Sequence, residues 1–463
     1  MENTSEEPPD RRLKRVLGVF DTYALVHADS QSTFYFLAGF IALAAGGFAF
    51  LSTIYGVLLM AVIALVYGEM ASRFPKAGGS YIYVTYAFGG TAGYLAAWLL
   101  ALDQIVMIGY GVIDAAKVFN KVFGLFMTEV VLAAVFSTAL FILTLLGVKK
   151  SANVAKIFAV VDLALMAALI ITALALHPAL PPFFKWGGIE GVNLLLAFSL
   201  LSRGFTGIDA VGQLAGEVKK PRVYIRKAMW TLVAIGAIQG LGLMAVITSA
   251  LTPAELTDPA IAPLYLAEKI HPAAFYLMAF NIFAIMLMAA LTGYLAFSRL
   301  LYRFAESSLL PEAFSRLHNR FKTPYISLAL AYLISLALVY IGEVEVILAI
   351  YAIGSLINYL MVSLASAKMS KNRRFKTFAV WGIPIFVWAA VFLIPLGITL
   401  ALLEKYRYIW ALAVWIAAGL VLYKRKHVIN MYKNLIGVGM ASIRAMLIAA
   451  RKELFYLQRG RRL

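Results

Sequence analysis

The chain has no cysteine among its 463 residues, which excludes disulfides, thiolate nucleophiles and thiol-ligated metals. Charge is scarce as well: 14% of residues are Asp, Glu, Lys or Arg, against 62% hydrophobic, with a mean hydropathy of +0.85. So little charge cannot make a water-soluble surface over one core, so lipid must be the solvent for most of the chain. Acids are the scarcer sign, 23 against 41 Lys and Arg, giving a net charge of +18. Met1 to Asp10 is polar and lacks the apolar centre of a cleavable signal, so the first apolar run itself is expected to drive insertion.

What the sequence has in abundance is long apolar runs. They are unbroken rather than alternating, and a backbone in lipid must satisfy its own hydrogen bonds, so helices are favoured over a barrel. At about 20 residues per crossing, twelve spans are predicted: 17–46, 48–72, 91–116, 125–147, 153–176, 191–216, 228–250, 273–303, 325–341, 345–367, 378–400 and 408–423. The loops between them are short and leave no room for a soluble catalytic domain.

Lys and Arg are retained on the cytoplasmic side of a membrane. Placing both termini there puts about 33 of the 41 basic residues inside and about six outside, with Lys156 and Arg203 within spans. Arg11, Arg12, Lys14 and Arg15, the run Lys219 to Lys227, and Lys371, Arg373, Arg374 and Lys376 then face anionic lipid heads, without any need for nucleic acid. In 424–463, Leu435, Met440, Ile443, Leu447, Leu454 and Leu457 are interleaved with Lys433, Arg444, Arg451, Lys452 and Arg459. That pattern suits a basic amphipathic helix on the inner leaflet.

Ionisable residues inside spans cost several kcal/mol unless they face a cavity or a partner. Span 1 carries His27 and Asp29, span 3 Asp103 and Asp114, span 5 Asp162, and span 6 Arg203 and Asp209. A scaffold has little use for so many, whereas a carrier needs titratable or cation-binding groups at mid-membrane. Asp103 and Asp114 share one helix face, with Asp114 about 16 Å nearer the outer surface. Arg203 needs a carboxylate partner such as Asp162, Asp29 or Asp209, or an anionic substrate group.

Spans 1 and 6 are the candidates for broken helices, whose free backbone groups hold solute or ion at the midplane. Ser202, Arg203, Gly204, Phe205, Thr206, Gly207, Ile208 and Asp209 put two glycines and a capping-type residue into an apolar run. In span 1 the polar cluster Asp29, Ser30, Gln31, Ser32 and Thr33 contains no glycine. A membrane enzyme would need a nucleophile and base, and His27 with Asp29 is the only intramembrane His–carboxylate pair. Two residues apart on a helix they point about 200° from each other, so they could cooperate only if span 1 unwinds.

Three motifs together resemble the amino acid/polyamine/organocation permeases. They are YGEMASRFPKAGGSYIYVTYAFG (Tyr67 to Gly89), GFTGIDAVGQLAGEVKKP (Gly204 to Pro221) and SRLLYRFAESSLLPEAFSRLHNRFKTP (Ser298 to Pro324). Their order and spacing agree with the family over roughly residues 15 to 425. The resemblance implies an all-α, leucine-transporter-like fold of twelve helices with a five-plus-five inverted repeat and discontinuous helices 1 and 6. The expected layout is a tail 1–16, a first repeat 17–176, a second repeat 191–367, helices 11 and 12 in 378–423, and the tail 424–463.

The resemblance also implies alternating access about a site between spans 1, 3, 6, 8 and 10, coupled to protons or exchange, with Glu69 and Glu217 in an inner gate. Two features depart from the family. Ala28 to Tyr35 replaces a glycine-rich unwound segment whose amides hold a substrate carboxylate, and aligning Gly147-Val148-Lys149 puts Asp162 where some members carry lysine.

The expected function is a proton-linked secondary carrier of amino acids or related organic amines in the plasma membrane, with no cofactor and no metal. The expected site comprises Asp29, Ser30, Ser32, Thr33, Asp103, Arg203, Gly204, Phe205, Thr206, Gly207, Asp209 and Tyr351, with Asp162 and His27 carrying the proton. Phe34, Tyr35, Phe205 and Tyr351 could stack over an ammonium group or fill the core. A second reading is a potassium–proton symporter, since Asp29, Ser30, Ser32, Tyr35 and Asp103 also look like the Kup-type potassium importers. Met107 and Gly111, one and two turns beyond Asp103, offer no hydroxyl to complete such a cage.

Overall fold

The computed structural model describes residues 13–124, 127–177, 193–202, 207–342, 345–370, 379–380 and 383–425. Met1–Ala413 form one compact unit; Val414–Leu463 form another, of which 414–425 are described and helical.

The described chain is almost wholly helical. The helices are α1 (Val19–Ala45), α2 (Ala49–Arg73), α3 (Ser80–Phe88), α4 (Gly90–Phe123), α5 (Glu129–Leu145), α6 (Val148–Leu176), α7 (Leu194–Leu201) and α8 (Ala210–Leu214). There follow α9 (Pro221–Ala250), α10 (Ala262–Ile270), α11 (Pro272–Glu306), α12 (Tyr325–Ile341), α13 (Glu345–Ser370) and α14 (Ile385–Lys405). A two-residue strand pair, Ala379–Val380 with Ile383–Pro384, precedes α14.

Helix ends follow local chemistry. The Gly18 N–H donates to Asp21 Oδ2 at 2.7 Å, so an acid in the first turn of α1 satisfies an otherwise free donor. Pro221 and Pro272 open α9 and α11, where a missing N–H costs nothing. Gly124 closes α4 in the left-handed conformation, φ 57°.

Among the described residues, seven helical stretches are long and apolar enough to cross a bilayer: Val19–Arg73, Gly90–Phe123, Val148–Leu176, Pro221–Ala250, Pro272–Glu306, Ala349–Ser370 and Ile385–Arg425. The first and last are each interrupted by a short 3-10 turn, at Gly46–Phe48 and Tyr406–Tyr408. α5 and α12 are apolar but shorter.

α1 is the axis of the bundle. It packs against α6, α9 and α11, and is buried on nearly every side, as a helix apolar over most of its circumference must be. One sequence expectation is corrected here: helix 1 is not discontinuous. It runs unbroken through Asp29, Ser30, Gln31, Ser32 and Thr33. The stretch contains neither glycine nor proline to interrupt the helical backbone. Helix 6 is divided as expected: α7 ends at Leu201, Gly207 has φ +88°, and α8 starts at Ala210.

The two ends of the bundle differ. At one, Lys149 and Lys156 clasp the buried Asp21 at 2.6 and 3.0 Å. There residues 15–17 are also strapped to the exit of α8. Val16 and Leu17 N–H groups donate to the Glu217 carbonyl at 2.8 and 2.9 Å, Lys219 N–H donates to the Leu17 carbonyl at 2.9 Å, and Leu17 bridges Val218 in parallel. We call this the basic end. At the other, Lys121 meets Asp258 at 2.8 Å and Lys269 meets Glu255 at 2.7 Å. Glu255 lies in an exposed loop, where Lys269 and the Thr252 N–H hold its carboxyl down to about 2.

Candidate functional site

Two groups of buried carboxylates lie on different faces of α1. Because α1 is unbroken, His27 and Asp29 point apart and serve different groups, so they form no pair with each other.

The first group joins α1, α4 and α8. Asp29, Asp103 and Asp209 are all fully buried. Asp209 accepts from Gln104 Nε2 at 2.9 Å and from the Tyr359 hydroxyl at 2.8 Å; Asp103 accepts from the Ser355 hydroxyl at 2.6 Å and from Gln104 at 3.3 Å. Neither oxygen of Asp29 has a hydrogen-bond partner among the described residues. Gly207 lies directly against that carboxylate, and a Cβ there would run into it. Tyr67 donates to Asn358, which donates to Ser80 at 2.9 Å and to the Ala96 carbonyl at 2.5 Å, so α2, α3 and α13 are pinned beside the acids.

A cavity of about 140 Å³ opens one turn beyond these acids, toward the end away from the basic one. Ser32 and Thr33 of α1, Met107 and Gly111 of α4, Met286 of α11 and Tyr351 of α13 line it, with Asp114 also in the lining. Asp114 stands 3.7 Å from Lys117. Tyr351 connects cavity and acids, because its carbonyl accepts from the same Ser355 hydroxyl that donates to Asp103.

The second group centres on Asp162 of α6, fully buried. Four donors from three other helices converge on its carboxylate. Tyr35 Oη lies 3.0 Å from both oxygens, His27 Nε2 2.9 Å from Oδ2, Gln239 Nε2 3.2 Å from Oδ2 and Asn281 Nδ2 2.8 Å from Oδ1. His27 Nδ1 in turn meets the Tyr23 hydroxyl at 3.1 Å.

The structure therefore brings Asp29, Asp103, Gly207 and Asp209 together, with Tyr351 one turn away. Ser32 only donates to the Asp29 carbonyl at 3.1 Å, and Ser30, though buried, has no partner among the described residues. Phe34 is buried in the core. Arg203, Gly204, Phe205 and Thr206 lie outside the described residues, as do the basic residues 371–376 and the tail beyond 425. Asp162 and His27 meet each other, away from the first group. Glu69 and Glu217 both lie toward the basic end. Glu69 pairs with Arg73 on its own helix, while Glu217 is held by the fully buried Arg299 of α11 through two bonds of 2.9 and 3.0 Å.

Sequence reading missed Gln104, Gln239, Asn281, Arg299, Ser355 and Tyr359, and placed Tyr35 with Asp29, or as an aromatic over an ammonium group, rather than on Asp162. An available signal was that Asn, Gln and Arg inside apolar helices are as costly as carboxylates and need partners.

Apolar helices long enough to cross a bilayer, arranged around buried carboxylates and a cavity, define a multi-pass membrane transporter. The chain belongs to the amino acid permease family, whose model matches residues 17–403. It is 24% identical to the branched-chain amino acid permease BcaP of Bacillus subtilis (strain 168), over 90% of this chain and 95% of that protein. It is 25% identical to the potassium transporter KimA of the same organism, over 65% of this chain and 52% of that one. Its fold is that of MhsT, solved in complex with L-phenylalanine, with a TM-score of 0.61 and 15% identity over 85% of this chain and all of that one.

Proposed function

We propose that the protein is a secondary active transporter for amino acids or related organic amines, coupled to protons and working by alternating access. Three buried carboxylates from three helices, with Asp29 lacking any hydrogen-bond partner among the described residues, carry this reading. An uncompensated buried carboxylate costs several kcal/mol unless a cation or proton meets it. An ammonium group entering through the neighbouring cavity supplies that charge.

The proposed substrate site is Asp29, Ser30, Ser32, Thr33, Asp103, Arg203 to Gly207, Asp209 and Tyr351. Asp162 and His27 carry the coupling proton, and Glu69 and Glu217 belong to the inner gate. The wider layout goes with it: twelve spans, a five-plus-five inverted repeat over spans 1–5 and 6–10, and both termini on the cytoplasmic face of the cell membrane. The basic end is then the inner one.

The test is reconstitution into liposomes enclosing a pH-sensitive dye, challenged with single amino acids, polyamines or potassium against protein-free controls. Acidification of the lumen with an organic amine or amino acid is the expected result. A response to potassium alone would replace the organic substrate by a metal ion, the reading that similarity to KimA favours and the Met107 and Gly111 lining weighs against.

A further inference from the structure

A carboxylate buried at mid-bundle normally needs a countercharge, yet among the described residues no Lys or Arg bonds to Asp162. The groups around it are polar side chains. Tyr35, Gln239 and Asn281 aim hydrogens at its oxygens, and His27 Nε2 faces Oδ2. A metal cation needs the opposite, a shell of oxygen acceptors, so this arrangement suits an ionised carboxylate, and a protonated one once His27 Nε2 is free of hydrogen and accepts from Oδ2.

The hydrogen bonds also have an order along α1. Tyr23 and His27 are one turn apart; the Tyr23 hydroxyl meets Nδ1, and Nε2 meets Asp162. With the imidazole neutral and its proton on Nε2, Tyr23 donates to Nδ1 and His27 donates to Asp162. Tyr23 is itself buried, and toward the basic end its ring is covered by the exposed Phe20, stacked on it at 5.6 Å. In the other direction Tyr35, Gln239 and Asn281 are buried, and neither they nor Asp162 line the 140 Å³ cavity or the second one, of about 120 Å³, that Leu165 and Met278 help to line.

We infer that Asp162 is a proton-binding site, distinct from the acids beside the cavity, which exchanges its proton with the basic end through His27 and Tyr23. Tyr23 accepts a proton from water at that end while passing its own to Nδ1. The Nε2 proton moves to Asp162 Oδ2. One proton enters and one is bound, His27 ends as the other neutral tautomer, and the reverse passage restores it. The other charged groups on the helices around Asp162 are Asp21 and Asp29 on α1, Lys149, Lys150 and Lys156 on α6, Arg222, Arg226 and Lys227 on α9, and Arg299, Arg303 and Glu306 on α11. Lys156 is engaged by Asp21, and Asp29 belongs to the other group. α9 and α11 present amides, Gln239 and Asn281.

The inference deepens the proton-coupled reading, but its test needs no substrate. Infrared difference spectra of the whole protein in liposomes, taken through a pH step, are expected to show a protonated-carboxyl band that Asp162→Asn removes. Tyr23→Phe leaves all four donors to Asp162 in place, so the band should reach its wild-type amplitude at least 10-fold more slowly. A purely structural role for Tyr23 would change the amplitude instead. Sodium added at constant pH should leave the band unchanged. A wild-type rate in Tyr23→Phe, a band unaffected by Asp162→Asn, or a band erased by sodium would each overturn the inference. If the band behaves as expected while the dye assay shows no proton movement with any solute, the site stands and proton-coupled transport falls.

Discussion

The two faces of α1 each take carboxylates out of water and treat them in opposite ways. Around Asp162 both oxygens have hydrogen-bond partners within the protein, from α1, α9 and α11. Around Asp29, Asp209 and Asp103 have donors but Asp29 has none among the described residues, and only a glycine can stand against it. A satisfied group holds helices together; an unsatisfied one spends stability to keep a place for something that arrives later.

That contrast can be broken by mutation. The largest effect is expected from Asp162→Ala, which strands four buried donors at once and should lower stability by about 3–5 kcal/mol. Thermal unfolding in detergent measures it, and a loss below about 1 kcal/mol would mean the four bonds are not what holds α1 to its neighbours. Gly207→Ala adds a methyl against the Asp29 carboxylate at a backbone angle that disfavours side chains, for a loss of about 2–3 kcal/mol in the same assay. Asp29→Asn should sharpen the difference, because removing a buried charge that has no partner among the described residues leaves stability unchanged or raises it by about 1 kcal/mol, while solute uptake is lost. A destabilised Asp29→Asn protein would reveal a partner and end the comparison.

Smaller effects lie further out. Tyr359→Phe removes one bond to Asp209 and is expected to cost about 1 kcal/mol. Glu255→Gln, in an exposed loop, should cost less than about 0.5 kcal/mol. Its pH dependence has a defined sign: the folded carboxyl sits at about 2, below its unfolded value of about 4.3. The contribution is therefore complete above about pH 4.3 and fades as pH falls toward 2. An unfolding series over that window, wild type against Glu255→Gln, reads it directly.

Much of this was legible in the sequence, for reasons that can be traced. Span positions follow from apolar length, so α1, α2, α11, α12 and α13 begin and end within a few residues of expectation. The acids stood out because charge in hydrocarbon is conspicuous. What could not be read was which acid meets which partner. Asp162 lies 135 residues from His27 and 119 from Asn281, and no local pattern reports such distances. The expected break in helix 1 failed for a different reason: a cluster of polar side chains was taken as a sign of an open backbone, whereas opening a helix needs glycine or proline, as Gly207 shows in helix 6.

The strap at the basic end bears on how the protein is made. Leu17 pairs with Val218, so the entry to α1 waits for a partner that emerges about 200 residues later, on the order of 10–40 s at ordinary synthesis rates. During that interval α1 is inserted with its entry segment unfastened, and Leu17 is committed only once Val218 has been made. A nascent chain halted before residue 218 should therefore expose residues 13–17 to protease, and one halted well after it should protect them.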